Sequence, residues 1–251
     1  MPAAALPILA VLLAASWGAL GGALVSAVPA VAQAETPATP LRSLAALKAD
    51  GPEFYLHPLE QGWIWQAVES EPPHHVMTFT PEDQSQRGWT DALLLGVRRG
   101  DRRPPQDLLA WAERQLATQC RDLRRSGLEQ GETADGWAEA WRLFSCPSRR
   151  VADGSTGQVG SGQVGGGVGE IRLLRAVQGE RAGYLIARVW RRPAFAADSP
   201  IGQQEIQLAR SLLTAGDPCL RDSLRSTCPF YSSMGLAALD DAKPYGVFDV
   251  R

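Results

Sequence analysis

Apolar and polar residues alternate with different periods in successive stretches of this chain. From residue 63 onward, short runs repeat with a period near two: Trp63–Ser70, His75–Thr80 and Trp89–Arg98, separated by clusters of Gly, Pro, His and Asp. Such runs bounded by turn residues predict strands. In the third run Trp89, Leu93, Leu95 and Val97 share one face, and Thr90, Ala92 and Gly96 leave the other small enough for close packing. After Gly100-Asp-Arg-Arg-Pro-Pro105 the period lengthens. Leu109, Ala112, Leu116 and Cys120 recur at spacings of three and four, and Pro105 suits a first turn, so this segment predicts a helix.

Trp137–Cys146 fits either period, because Trp137 and Trp141 share a face in a helix and in a strand; Gly136 and the ending Cys146-Pro147 favour a strand. Two apolar runs, Ile171–Val177 and Ala182–Trp190, flank Gln178-Gly-Glu-Arg181 and predict a hairpin. Ile201–Leu213 predicts a second helix with Ile206, Ala209 and Leu213 inward and Gly216 ending it. Near the start, Leu41, Leu44 and Leu47 place a short helix over 41–49. The order of strands, helix, strands, helix, with neighbouring strands close enough to pair antiparallel, is that of an α+β domain. We expect a sheet of about six to seven strands flanked by two main helices. This element order resembles the PsbP/Mog1-type fold, from which no metal or partner site is carried over.

The N-terminal stretch changes the picture in another way. Residues 1–34 carry no charged side chain, Glu35 is the first, and the run closes on Ala32-Gln33-Ala34. Small residues at these positions suit signal-peptidase cleavage, so 1–34 reads as an export signal and the mature protein as periplasmic or secreted. Retention of the segment as a membrane anchor is the competing reading, since a long apolar run can span a bilayer. Residues 35–52 then read as a linker with the short helix, 53–230 as the α+β domain with a glycine-rich loop at 154–170, and 231–251 as a C-terminal tail. Phe230, Tyr231, Tyr245 and Phe248 would pack that tail against the body.

Four cysteines, Cys120, Cys146, Cys219 and Cys228, all lie in the exported part. Their even number predicts two disulfides, and loop economy favours Cys120 with Cys146 and Cys219 with Cys228. The spacings lack a C-x2-C pair, which argues against zinc. The segments Gly88-Trp-Thr-Asp91, Cys146-Pro147, Arg175-Ala-Val-Gln-Gly179, Tyr184 and Cys219 through Cys228-Pro229 are similar to an uncharacterised family of exported proteobacterial proteins. That resemblance covers roughly residues 60–230 and implies the same strands and two disulfides, but no activity. The glycine-rich insert after Cys146 departs from it.

Charge excludes one class of partner. The formal net charge is −2, so no strongly basic field exists to hold nucleic acid. Lys48 and Lys243 are the only lysines among 25 basic residues, which fits codon bias in a GC-rich bacterial genome. Five arginine pairs, Arg98-Arg99, Arg102-Arg103, Arg124-Arg125, Arg149-Arg150 and Arg191-Arg192, fall near element ends. Converging pairs would make a bidentate site for phosphate or carboxylate, and Arg98, Arg99, Arg102 and Arg103 are the first candidates.

Gly160-Ser-Gly162-Gln-Val-Gly165 matches G-x-G-x-x-G, yet a strand rather than a helix follows it, so it reads as a slack loop. His57, His74 and His75 are the only histidines, and Glu69, Glu71, His74 and His75 cluster at one predicted turn. They could hold a metal or supply a general base, but charged residues at a strand end more simply form a solvated rim. No hydrolase motif is present. Trp63 and Trp65 share one strand face and become a surface to test if exposed. The expectation is therefore a non-catalytic binding or accessory module of the bacterial cell envelope, without cofactor or metal, meeting an envelope protein or an anionic envelope ligand. The alternatives are an envelope hydrolase using His74 or His75 with Glu69 or Glu71, and a membrane-tethered envelope subunit.

Overall fold

Two long apolar strands form the middle of the molecule, because their side chains are buried on both faces. In the computed structural model, which describes residues 43–84, 88–120, 122–149, 167–196, 199–220 and 245–249, these are Val168–Gln178 and Ala182–Pro193. Numbered in chain order, the strands are β1 (Ser43–Lys48), β2 (Glu53–Leu59), β3 (Trp63–Glu71), β4 (His74–Pro81), β5 (Asp91–Arg99), β6 (Arg124–Arg125), β7 (Glu129–Glu132), β8 (Ala138–Cys146), β9 (Val168–Gln178), β10 (Ala182–Pro193), β11 (Asp217–Leu220) and β12 (Tyr245–Asp249). The helices are α1 (Pro105–Gln119) and α2 (Gln203–Leu213).

The fold is α+β, with an eight-stranded antiparallel sheet in the order β3-β4-β5-β10-β9-β8-β6. β7 shares the outer edge of β8 with β6. A second sheet, β11-β2-β1-β12, is also antiparallel throughout. Residues alternate across the large sheet. Leu93, Leu95, Ile171, Leu173, Tyr184 and Ile186 join the small sheet and α2 in one core. Ala92, Leu174, Ala176, Ala187 and Val189 join α1 in the other. Burial on both faces removes the polar half of the alternation and gives β9 and β10 their near-continuous apolar run.

Several expectations are corrected here. Residues 43–48 form a strand rather than part of a helix, and the strand lies between β2 and β12. Leu44 to Leu47 are all buried, so the segment shows no alternation, and leucines three apart satisfied the helical pattern equally well. The folded body consequently includes 43–48, ahead of residue 53, and 245–249, beyond residue 230. The large sheet has eight strands, not six or seven, and the small sheet was not anticipated. Trp89 precedes β5 and packs with α1, on the opposite side from Leu93, Leu95 and Val97, because strand alternation starts only at Asp91. The proposed loop at 154–170 ends within β9, while 151–166, including the Gly160–Gly165 motif, lie outside the described residues.

Cys120 is bonded to Cys146, tying the end of α1 to the end of β8. Cys219 is also disulfide-bonded, and its expected partner Cys228 lies outside the described residues.

Buried polar groups tie the small sheet and α2 to the large one. Arg175 on β9 donates from Nε to Glu139 at 2.7 Å and from Nη2 to Asp217 at 2.7 Å. Its Nη1 donates to the carbonyls of Leu213 at 2.9 Å and Gly216 at 2.5 Å. Tyr55 donates to the same Gly216 carbonyl at 3.0 Å. A second group centres on the fully buried Glu53, which accepts from the Tyr184 hydroxyl and the Arg181 amide, each at 2.8 Å. A side chain at Gly179 would strike this carboxylate, so the Gln-Gly turn closes there only with glycine.

Candidate functional site

Helix α1 starts at Pro105, where Pro fits the first turn, and lays Leu108, Leu109, Ala112 and Leu116 on the sheet. It covers β8, β9 and part of β10. Close approach depends on Gly183, where an added Cβ would lie 2.6 Å from a Leu108 methyl. The same face of β3, β4 and β5 has no helix over it among the described residues. Between this uncovered sheet and α1 lies a cleft of about 540 Å³. Its floor includes Val76, Leu94, Leu174, Leu185, Ala187 and Val189, and its helix wall includes Trp111, Gln115 and Gln119.

The two ends of the cleft differ in charge. At the start of α1, Trp111 meets the His74 ring at 5.0 Å and the Arg98 guanidinium at 5.0 Å. Arg98 is paired to Asp101 at 2.8 Å. Burial, then the charges of Arg98 and His75, hold His74 below its ordinary value, against a smaller opposing pull from Glu69 and Glu71.

At the other end the Arg191 guanidinium lies 3.5 Å over the Trp89 ring. Beside it Glu170, only 3% exposed, faces three arginines. Arg149 donates to it at 2.8 Å, Arg172 at 2.5 Å and Arg191 at 3.4 Å. Burial alone would raise the Glu170 carboxyl, but the three guanidiniums outweigh it and hold the group below the usual range. Arg191 is itself lowered, first by burial, and repulsion from Arg149 and Arg172 adds to this against the attraction of Glu170. Among the described residues, three cations around one carboxylate leave this end with excess positive charge.

The residues singled out by sequence fall in several places. Arg98 lines the cleft, and Arg103 shares Asp101 with it, at 2.6 Å for the shortest contact. Arg99 instead donates to the Lys48 carbonyl at 3.2 Å, and Arg102 is exposed. These four do not form one anion site, because Asp101 engages both Arg98 and Arg103 and strand alternation sends Arg99 the other way. The arginines that do converge include one member each of the pairs Arg149-Arg150 and Arg191-Arg192. Arg172, in no pair, supplies the third. Its signal was Glu170 and Arg172 two apart on one strand, which places both on the same face.

Cross-strand pairing sets Glu71 opposite His74 and Ser70 opposite His75. His74 and Glu69 line the cleft, while His75 is buried with Nδ1 2.7 Å from the Ser70 hydroxyl. The histidines are thus split between the two faces of the sheet. His57 is on the other sheet, buried on β2 with Nδ1 lacking a hydrogen-bond partner. Among the described residues, no three His, Cys, Asp or Glu side chains are grouped as metal ligands. Trp63 lies under Arg188 at 4.3 Å, whereas Trp65, beside a bulge in the edge strand β3, is 48% exposed and meets Tyr245 edge-on at 6.0 Å. No helix among the described residues is long and apolar enough to cross a membrane.

No family model and no curated protein matches the chain. Among solved structures, it is similar to the yeast (Saccharomyces cerevisiae) Ran-binding protein Mog1p, over 68% of this chain and 84% of that one, at 8% identity and a TM-score of 0.35. At that score the similarity carries no residue, partner or function of Mog1p to this chain.

Proposed function

We propose that this protein is an exported, non-catalytic binding module of the bacterial cell envelope and that the cleft beside α1 is its ligand surface. The observation that carries this reading is the cleft itself: an apolar floor left uncovered by the helix, with a tryptophan–arginine stack at each end. Sites that bind small or extended ligands combine such a concave apolar surface with a few oriented polar groups. Bonding of Cys120 to Cys146 suits an oxidising compartment, and the uncharged segment 1–34 suits export to it.

A photoreactive amino acid at Gln115 or Gln66, both on the cleft wall, tests the site in intact cells. A specific adduct from these positions, absent when the probe replaces the exposed Leu208 on α2, is the expected result. Equal labelling from all three positions would remove the cleft as the ligand surface. Fractionation tests the compartment: unprocessed chain recovered from the cytosol with reduced cysteines contradicts export.

A further inference from the structure

We propose that the cleft binds a long-chain fatty carboxylate, its alkyl chain along the sheet floor and its carboxylate held by Arg149, Arg172 and Arg191. This names a ligand class for the surface above and rests on the cleft being that surface.

Charge complementarity fixes the direction of the ligand. At the Glu170 end, three guanidiniums bring five N–H donors each to a carboxylate with two oxygens, so donors exceed acceptors. Arg149 places its second donor nitrogen on Gln119 at 2.5 Å, and Arg191 reaches Glu170 only through Nε at 3.4 Å. Stacking on Trp89 covers one face of Arg191 and leaves the guanidinium edge to bond in its own plane. A planar carboxylate matches that edge with two parallel hydrogen bonds. The opposite end has no such surplus, since Arg98 is paired with Asp101 and Glu69 stands on the same wall.

Shape argues for an alkyl chain rather than a peptide. The floor is the side-chain face of a paired sheet, so its backbone donors and acceptors are already used between strands. A peptide lying there would leave its own N–H and C=O groups without a ladder partner, whereas an alkyl chain needs none. From Gly183 to Arg191 the floor runs about 26 Å along β10, room for a long chain, and the cleft volume lies within the usual range for ligand sites.

The test uses the purified full chain with dodecanoate, dodecyltrimethylammonium, butyrate and dodecyl phosphate, each below its micellar concentration, followed by the indole N–H signals of Trp89 and Trp111. Saturable shifts of both signals with dodecanoate are expected, with binding at least about tenfold weaker for the cationic amphiphile and for butyrate. Arg191→Gln and Arg172→Gln are each expected to weaken dodecanoate about tenfold while leaving the remaining indole signals in place, which shows the variants folded. Equal affinity for the cationic amphiphile, or no loss in either folded variant, overturns the assignment. Preference for dodecyl phosphate over dodecanoate overturns the carboxylate head group. If dodecanoate fails to bind while Gln115 crosslinks still form, the ligand class falls and the cleft stands; if both fail, both readings fall.

Discussion

Replacing Arg175 with methionine probes how the small sheet and α2 are held to the large sheet. Methionine fills much of the space of the arginine stem but has no donor for Glu139, Asp217, or the carbonyls of Leu213 and Gly216. Arg175 is 1% exposed, so its partners would face a site that water scarcely reaches. Breaking a buried ion pair from one side costs about 3–5 kcal/mol, and an unsatisfied buried carbonyl about 1–3 kcal/mol. The two losses overlap. Asp217, whose carboxyl burial raises despite the nearby Arg175, and Glu139 both keep part of their side-chain surface in water, which offsets some of the loss. We therefore expect a net loss of about 3–5 kcal/mol, or roughly 6–20 °C in Tm for a domain of this size. Urea unfolding followed by circular dichroism at pH 7 measures it. Hydrogen exchange should show the amides of 213–220 opening first. A loss below about 1 kcal/mol would refute the view that this arginine clamps the two sheets together.

Burial, then the charge of Arg175, lowers His57 to about 3. The unfolded chain therefore binds a proton near pH 6.5 that the native state does not, so the His57 contribution is complete above pH 6.5 and is lost as pH falls towards 3. His74 and His75 are lowered too, mainly by burial, and act in the same direction. His57→Leu should remove about 1.4 kcal/mol per pH unit from the slope of stability between pH 6 and 5, measured by urea midpoints; an unchanged slope would sink this account. Gly179→Ala drives a methyl into the Glu53 carboxylate and to 3.0 Å from the Tyr184 ring, and should cost about 1–3 kcal/mol by thermal unfolding. Wild-type stability in that variant would mean the turn is not packed against Glu53. Replacing Cys120 and Cys146 together with serine opens a loop whose ends are 26 residues apart and should cost about 3.5 kcal/mol. Wild-type protein whose urea midpoint ignores reductant would contradict that figure.

Much of the fold was legible because one-sided burial imprints a local period on sequence. β3, β4, β5 and both helices fall where period two and period 3.6 placed them, and the β9–β10 hairpin where two apolar runs flank a turn, with ends shifted by a few residues. The ambiguous segment at Trp137 resolves as strand β8, as Gly136 and Cys146-Pro147 favoured. The Cys120–Cys146 pairing follows the short-loop expectation. β1 was misread because both its faces are covered, which erases the period that separates strand from helix. The charged cluster at the cleft was half legible: arginine pairs pointed to convergence, but Arg98, Arg99, Arg102 and Arg103 were not the ones that meet at Glu170.

By itself, then, the sequence determined the α+β class, the succession of elements around the central hairpin, the faces of most strands and the chemistry available to them. Only the tertiary structure decided that β1, β2, β11 and β12 form a second sheet, that Arg149, Arg172 and Arg191 surround Glu170, and that α1 leaves part of the sheet uncovered. The physical reason is range. A side chain's inward or outward direction is set within a few residues by backbone geometry. The meeting of residues 149, 172 and 191 depends instead on strand register and helix placement, which are fixed only when distant segments bury their apolar faces against one another.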